Sequence, residues 1–143
     1  MKYFHRIIDE ERADLERTRT TAHAAVVKGE RITAGLIEKK KGSGSRPHRH
    51  PKVEQFNFVI EGSFKSMVEG EHMVMTAGDM VHIPPNSLHH MVAVGDGPNI
   101  YFMAKDAVSD PENWIYGVYD EGMEETPWYE PGFEPDKKED KKK

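Results

Sequence analysis

The residues best suited to chemistry lie between Gly42 and Gly62, in the run GSGSRPHRHPKVEQFNFVIEG. His48 and His50 are separated by one residue. On an extended segment side chains alternate with period two, so both imidazoles point to one face, as two neighbouring ligands of one metal ion would. The chain has no cysteine, so it has no disulfide, no thiolate metal site and no cysteine nucleophile. A metal here must use imidazole nitrogen and oxygen ligands. Histidine-x-histidine alone is a weak signal, because exposed histidines are common.

The elements around this run read as strands. HAAVVK, RITAGLIEKK, QFNFVIEG, SFKSMVEG, EHMVMT, MVHIP, HHMVAV and NIYFMAK are short stretches rich in Val, Ile, Phe and Met. Gly, Pro, Asn and Asp separate them at turns such as Glu69-Gly70-Glu71 and Pro84-Pro85-Asn86. That spacing, with no helical pattern between the strands, predicts an all-β sandwich or barrel over residues 22–106. Residues 6 to 17 read either as a short helix anchored by Ile7, Ile8 and Leu15 or as a polar arm.

The composition supports one domain with solvated ends. A chain of 143 residues, 36% hydrophobic and 31% charged, suits one compact core. Residues 1–21 form the expected N-terminal arm, and 107–133 an aromatic, proline-rich extension carrying Trp114 and Trp128. In that extension Asp110-Pro111 suits the start of a short helix over 112–117. The tail 134–143, ending KKEDKKK, is expected to be disordered.

With a net charge of −5 and scattered basic residues, nothing indicates nucleic-acid binding. The N-terminus has no apolar run resembling a signal peptide or a membrane span, which makes the cytoplasm the default location and a small molecule the expected partner.

In the order of two motifs the chain resembles the cupin family, a double-stranded β-helix or jelly-roll barrel. The first family motif is Gly, five residues, His-x-His, three or four residues, Glu, six residues, Gly. Gly42, His48, His50 and Gly62 fill those places. The second motif begins here at Gly78, with Pro84 in the proline place, Asn86 where the family has glycine, His89 in the histidine place and Ala93 where it ends in asparagine.

The resemblance implies a divalent metal held by His48, His50, His89 and a fourth ligand. Counting back from Gly62 puts Gln55 in the acid place. Glu54 fits the shorter gap after His50 and remains the alternative. We favour Gln55 because Gly62 anchors the strand register, while the Pro51-Lys52 corner can absorb one residue. Asn tolerates a left-handed backbone, so Asn86 is compatible with the turn.

Such a ligand set fits Fe or Mn first, with Ni, Co or Zn also compatible. A glutamine ligand leaves the ion its full positive charge and strengthens it as a Lewis acid. Glu54, if not a ligand, is a candidate general base or an exposed carboxylate. His82 on MVHIP is either a proton relay or a packed or exposed histidine, and Tyr101 is a third catalytic candidate if its strand turns it inward.

The family resemblance implies an enzyme acting on a small oxygenated metabolite. Dioxygenase chemistry leads. A non-redox lyase or isomerase is the alternative, because small cupins with three histidines and a glutamine resemble hydroxynitrile lyases and the enzyme that linearises unsaturated uronates. A non-catalytic sensing module is the third reading, and a homodimer is the expected assembly.

Overall fold

The structure is a computed structural model in which residues 2–14 and 23–107 are described. The expected extension, the helix over 112–117, both tryptophans and the charged tail lie outside these residues. Residues 15–17 of the expected N-terminal helix do too. In place of its described part the chain makes a single 3-10 turn, Ile7–Asp9, none of it buried, and then a two-residue strand β1 (Ala13–Asp14). Charges fall on every side of this segment, so there is no apolar stripe to hold a helix against the core.

Eight further strands follow: β2 (His23–Lys28), β3 (Ile32–Lys39), β4 (Gln55–Glu61), β5 (Ser63–Val68), β6 (Glu71–Thr76), β7 (Met80–Ile83), β8 (His89–Ala93) and β9 (Asn99–Asp106). All their pairings are antiparallel. One sheet has the order β1-β2-β3-β9-β4-β7 and the other β6-β5-β8. Together they make the two-sheet jelly roll, with almost no helix among the described residues. Among the described residues no helix is long and apolar enough to cross a membrane.

Alternation sets the core. In β4 Gln55, Asn57 and Val59 are buried while Phe56, Phe58 and Ile60 are exposed. Val59, Phe64, Met75, Met91, Tyr101 and Met103 belong to one cluster between the sheets, with Phe64 packed edge-on against the Tyr101 ring. Four of the strand methionines are packing residues: Met67, Met75, Met91 and Met103 are buried, whereas Met73 and Met80 are exposed.

The end of the barrel away from the histidine pair is closed by Asn99, which is fully buried. Its amide donates to the Lys39, Gly95 and Gly97 carbonyls, and its Oδ1 accepts from the Ser63 N–H at 3.0 Å. Gly62 lies against this knot with φ +80, and a Cβ there would fall 2.3 Å from Asn99 Oδ1. That crowding is why the β4–β5 turn needs glycine.

Candidate metal centre

His48 lies just before β4 and His89 opens β8, and the two segments form an isolated antiparallel bridge. His50 follows His48 on the same face. The possible ligand atoms of His48, His50 and His89 lie within 4.8 Å of one another. All three residues are buried to within 9% exposure.

Two of the imidazoles are oriented by the backbone. His48 Nδ1 donates to the Arg46 carbonyl, and His89 Nδ1 donates to the Ser87 carbonyl at 2.9 Å. With Nδ1 protonated, the neutral ring presents the lone pair of Nε2.

Burial is the main cause that holds His48 well below the usual histidine range, and the neighbouring His89 and His50 act in the same direction. Burial also lowers His89 to about 4; the hydrogen bond to Ser87 opposes the shift, and Lys105, His90 and Lys39 add to it. Both rings are therefore neutral near pH 7, the state in which imidazole ligates metal.

A backbone clip positions this face. The Asn86 N–H donates to the His50 carbonyl at 2.9 Å, and Arg49 Nη1 donates both to the Asn86 carbonyl at 2.8 Å and to Glu69 Oε1 at 3.0 Å. Asn86 has φ +62, so it occupies the left-handed conformation for which asparagine serves in the glycine place of the motif. The arginine between the two histidines thus ties their segment to the turn before His89.

The fourth-ligand candidates separate by face. Gln55 is 9% exposed on the inner face of β4, and its Nε2 donates to Asn57 Oδ1 at 2.8 Å. Asn57 Nδ2 in turn contacts Met91 Sδ at 3.6 Å. With the Gln55 amide nitrogen engaged by Asn57, its carbonyl oxygen is the atom left to act as a ligand.

Glu54 turns outward and is not grouped with the histidines. Its carboxylate accepts from His82 Nε2 at 2.8 Å, with both side chains about half exposed, and His82 stacks on Phe56 at 12°. The structure thus places Glu54 and His82 together on the outer surface, as an exposed carboxylate paired with an exposed histidine, away from the three buried imidazoles. The physical reason is the period of two: burying Gln55 turns Phe56 outward, and His82 stands opposite Phe56 in β7.

Tyr101 does face inward, 6% exposed, but it stands opposite Val59, four residues from the Gln55 row. That is roughly 14 Å along the strand. Burial raises its pKa, so the phenol stays protonated, and its ring packs in the core cluster against Phe64. His90 turns away from the histidine group, its Nδ1 donating to the Ser45 carbonyl at 3.0 Å.

The sequence reading missed Lys105, whose partner across β9 and β4 is Gln55, and Lys39, whose buried Nζ donates to the Met91 carbonyl at 3.2 Å. The signal was present in β9: Asn99, Tyr101, Met103 and Lys105 share one face by alternation.

Residues 35–105 match the Cupin domain family. The chain is 33% identical over 57 residues to the pectin degradation protein KdgF of Dickeya dadantii, covering 40% of this chain and 52% of that protein. It is 25% identical over 80 residues to the uncharacterized protein MJ1618 of Methanocaldococcus jannaschii, covering 56% of this chain and 64% of that one. The alignments thus span about half to two thirds of these relatives.

Among solved structures, KdgF from Halomonas sp. superposes with a TM-score of 0.64 at 21% identity, covering 77% of this chain and 96% of that one. An RmlC-like cupin from Shewanella frigidimarina superposes with a TM-score of 0.65 at 23% identity, covering 77% and 95%. At such identities these structures establish the shared fold.

Proposed function

The chain is a member of the cupin superfamily, and from that premise we propose that it is a metal-dependent enzyme of non-redox type, a lyase or isomerase acting on a small hydroxy or carbonyl metabolite. His48, His50, His89 and Gln55 hold the ion in this reading. A bound divalent ion would polarise a substrate oxygen. The protein's own part is to keep the imidazoles neutral and aimed, through the Arg46 and Ser87 carbonyls, and to fix the Gln55 amide through Asn57.

The observation that carries the reading is the Gln55–Asn57 hydrogen bond on the buried face, together with the outward turn of Glu54. A carbonyl in the fourth place leaves the charge of the ion undiminished, which favours Lewis-acid chemistry over the tempered centre that a carboxylate gives. The similarity to the pectin degradation protein KdgF points the same way. Iron and manganese remain the first metals to try, and a homodimer remains the expected assembly, checked by light scattering.

The test is reconstitution followed by two assays on one preparation. Metal analysis of wild type beside Gln55→Ala and Glu54→Ala should show about one ion per chain, lost in the Gln55 variant alone. Turnover of hydroxy and carbonyl substrates should then persist under strict anaerobiosis. Consumption of dioxygen with substrate would instead establish the dioxygenase reading, and loss of metal only in Glu54→Ala would reject the ligand set.

A further inference from the structure

Among the described residues, the ionisable groups that face the barrel interior are basic apart from the Tyr101 phenol, which burial keeps neutral. His48, His50 and His89 gather at one end, Lys105 stands opposite Gln55 in the same row, and Lys39 reaches across from β3 to the Met91 carbonyl two residues past His89. No Asp or Glu is among the buried residues of the described chain. Glu54, the nearest acid in sequence to the fourth-ligand place, has its carboxylate outside against His82.

Lys39 makes the imbalance concrete. It is 3% exposed, and its partners are one carbonyl and the face of the Tyr101 ring, 5.8 Å from Nζ. A buried ammonium without a carboxylate is costly, and such groups are kept where they serve a ligand. The Lys39 amine lies two residues from His89 on β8, and Lys105 stands opposite Gln55, so both lysines are rooted or reach beside the proposed ligands. A divalent ion held by neutral ligands would add further positive charge to the same interior.

We propose that the substrate of this centre is a carboxylic acid in its anionic form, and that Lys105 is the residue that binds its carboxylate while Lys39, rooted in the Asn99 row with its Nζ at the Met91 carbonyl, adds positive potential from further inside the barrel. The inference rests on the metal-centre reading for the neighbouring hydroxyl or carbonyl oxygen. The carboxylate subsite itself rests on the lysines. Lys105 is a specificity residue here: in Gln55's row, its ammonium is placed to engage a carboxylate while the adjacent oxygen meets the metal ligands.

A matched pair of small probes tests this, glycerate against glycerol, which differ by a carboxylate in place of a hydroxymethyl group. Calorimetric titrations use the full chain, both manganese-loaded and stripped with chelator, as wild type, Lys105→Met, Lys105→Arg and Lys39→Met. Wild type should bind glycerate at least about tenfold more tightly than glycerol in both forms, the scale of one charge-assisted hydrogen bond.

Lys105→Met should lose most of that preference, Lys105→Arg should keep it, and Lys39→Met should reduce it in part. Glycerol and glycerate binding alike in stripped wild type, or a preference untouched in Lys105→Met, would overturn the proposal. Metal content measured on the same samples reports on the metal centre separately. A protein that takes up no manganese yet prefers glycerate through Lys105 would reject the metal reading and keep the subsite.

Discussion

His48 and His89 face each other as a reciprocal backbone pair, the N–H of each donating to the carbonyl of the other at 3.0 Å. The two motifs of the sequence are thus joined at their histidines by the main chain, before any ligand is considered. Side chains that leave adjacent strands at opposed residues stand close together, and the two imidazole centroids are 4.3 Å apart. The grouping of the histidines that could hold a metal ion is therefore built into the sheet pairing.

Asn57→Ala tests the orientation of the fourth ligand. It removes the acceptor that holds Gln55 Nε2 at 2.8 Å while leaving every proposed ligand in place. Metal affinity, measured by competition with a chromophoric chelator, should fall about 10- to 100-fold, the usual effect of losing a partner that orients a ligand. An affinity equal to wild type would show that Gln55 is aimed without Asn57 or is not a ligand.

Glu69→Ala tests the clip between the motifs. Glu69 Oε1 accepts from Arg49 Nη1 at 3.0 Å and from the Leu88 N–H at 2.6 Å, one residue before His89. The ion pair is largely solvent-exposed and contributes at most about 1 kcal/mol. The backbone hydrogen bond to a carboxylate brings the expected loss to about 1–2 kcal/mol in urea unfolding. A loss below about 0.5 kcal/mol would mean that the bonds left in the variant, Asn86 N–H to the His50 carbonyl, Arg49 to the Asn86 carbonyl and residue 69 N–H to the Leu88 carbonyl, hold the turn without the carboxylate.

Gly62→Ala and Gly70→Ala form a matched pair, since both glycines have positive φ, +80 and +83. A Cβ at 62 meets Asn99 Oδ1 at 2.3 Å and the Pro98 carbonyl oxygen at 2.6 Å, while at 70 nothing lies within 4 Å. Gly70→Ala should cost about 1 kcal/mol from backbone conformation alone. Gly62→Ala should cost about 3 kcal/mol or more, because the Asn99 knot must also open. Equal effects in thermal unfolding would refute the steric account.

These residues also show what was legible beforehand. The strands could be read because each is short, alternating and bounded by turn residues, and Gly62 could serve as the register mark because the crowding around it admits no other residue. That mark separated Gln55 from Glu54.

The face of His82 was not legible: a four-residue strand with Met80, Val81 and Ile83 beside the histidine presents an apolar side whichever way it turns. Lys39 and Lys105 were hidden for a different reason. Each stands at or near the end of its strand, where a lysine ordinarily reaches into solvent, and only the closing of the second sheet places them inside. Of the two readings of the N-terminal segment, its described part follows the polar arm, because the local charge pattern gives a helix nothing to bury.

Lys39→Met carries a prediction in pH. Burial lowers the Lys39 pKa from 10.5 to about 8, so the folded protein binds the proton less well than the unfolded chain does. Above pH 10.5 both states hold the neutral amine and the residue costs nothing. As pH falls toward 8 the unfolded chain gains the proton first, and stability drops by an amount that is fully present below about pH 8. For a shift of this size the drop is on the order of 3 kcal/mol.

Lys105, also lowered to about 8 by burial, contributes in the same direction, and Tyr101, raised by burial, contributes in the opposite one at higher pH. Both remain in the variant, so the difference between the two proteins isolates Lys39. Urea unfolding at intervals from pH 7 to 10.5 should show Lys39→Met more stable than wild type at pH 7, with the gap closing as pH rises. The lost hydrogen bond to the Met91 carbonyl reduces the gap by about 1 kcal/mol. A variant less stable than wild type at pH 7 would make Lys39 a structural plug held by Met91, and would remove it from the anion subsite.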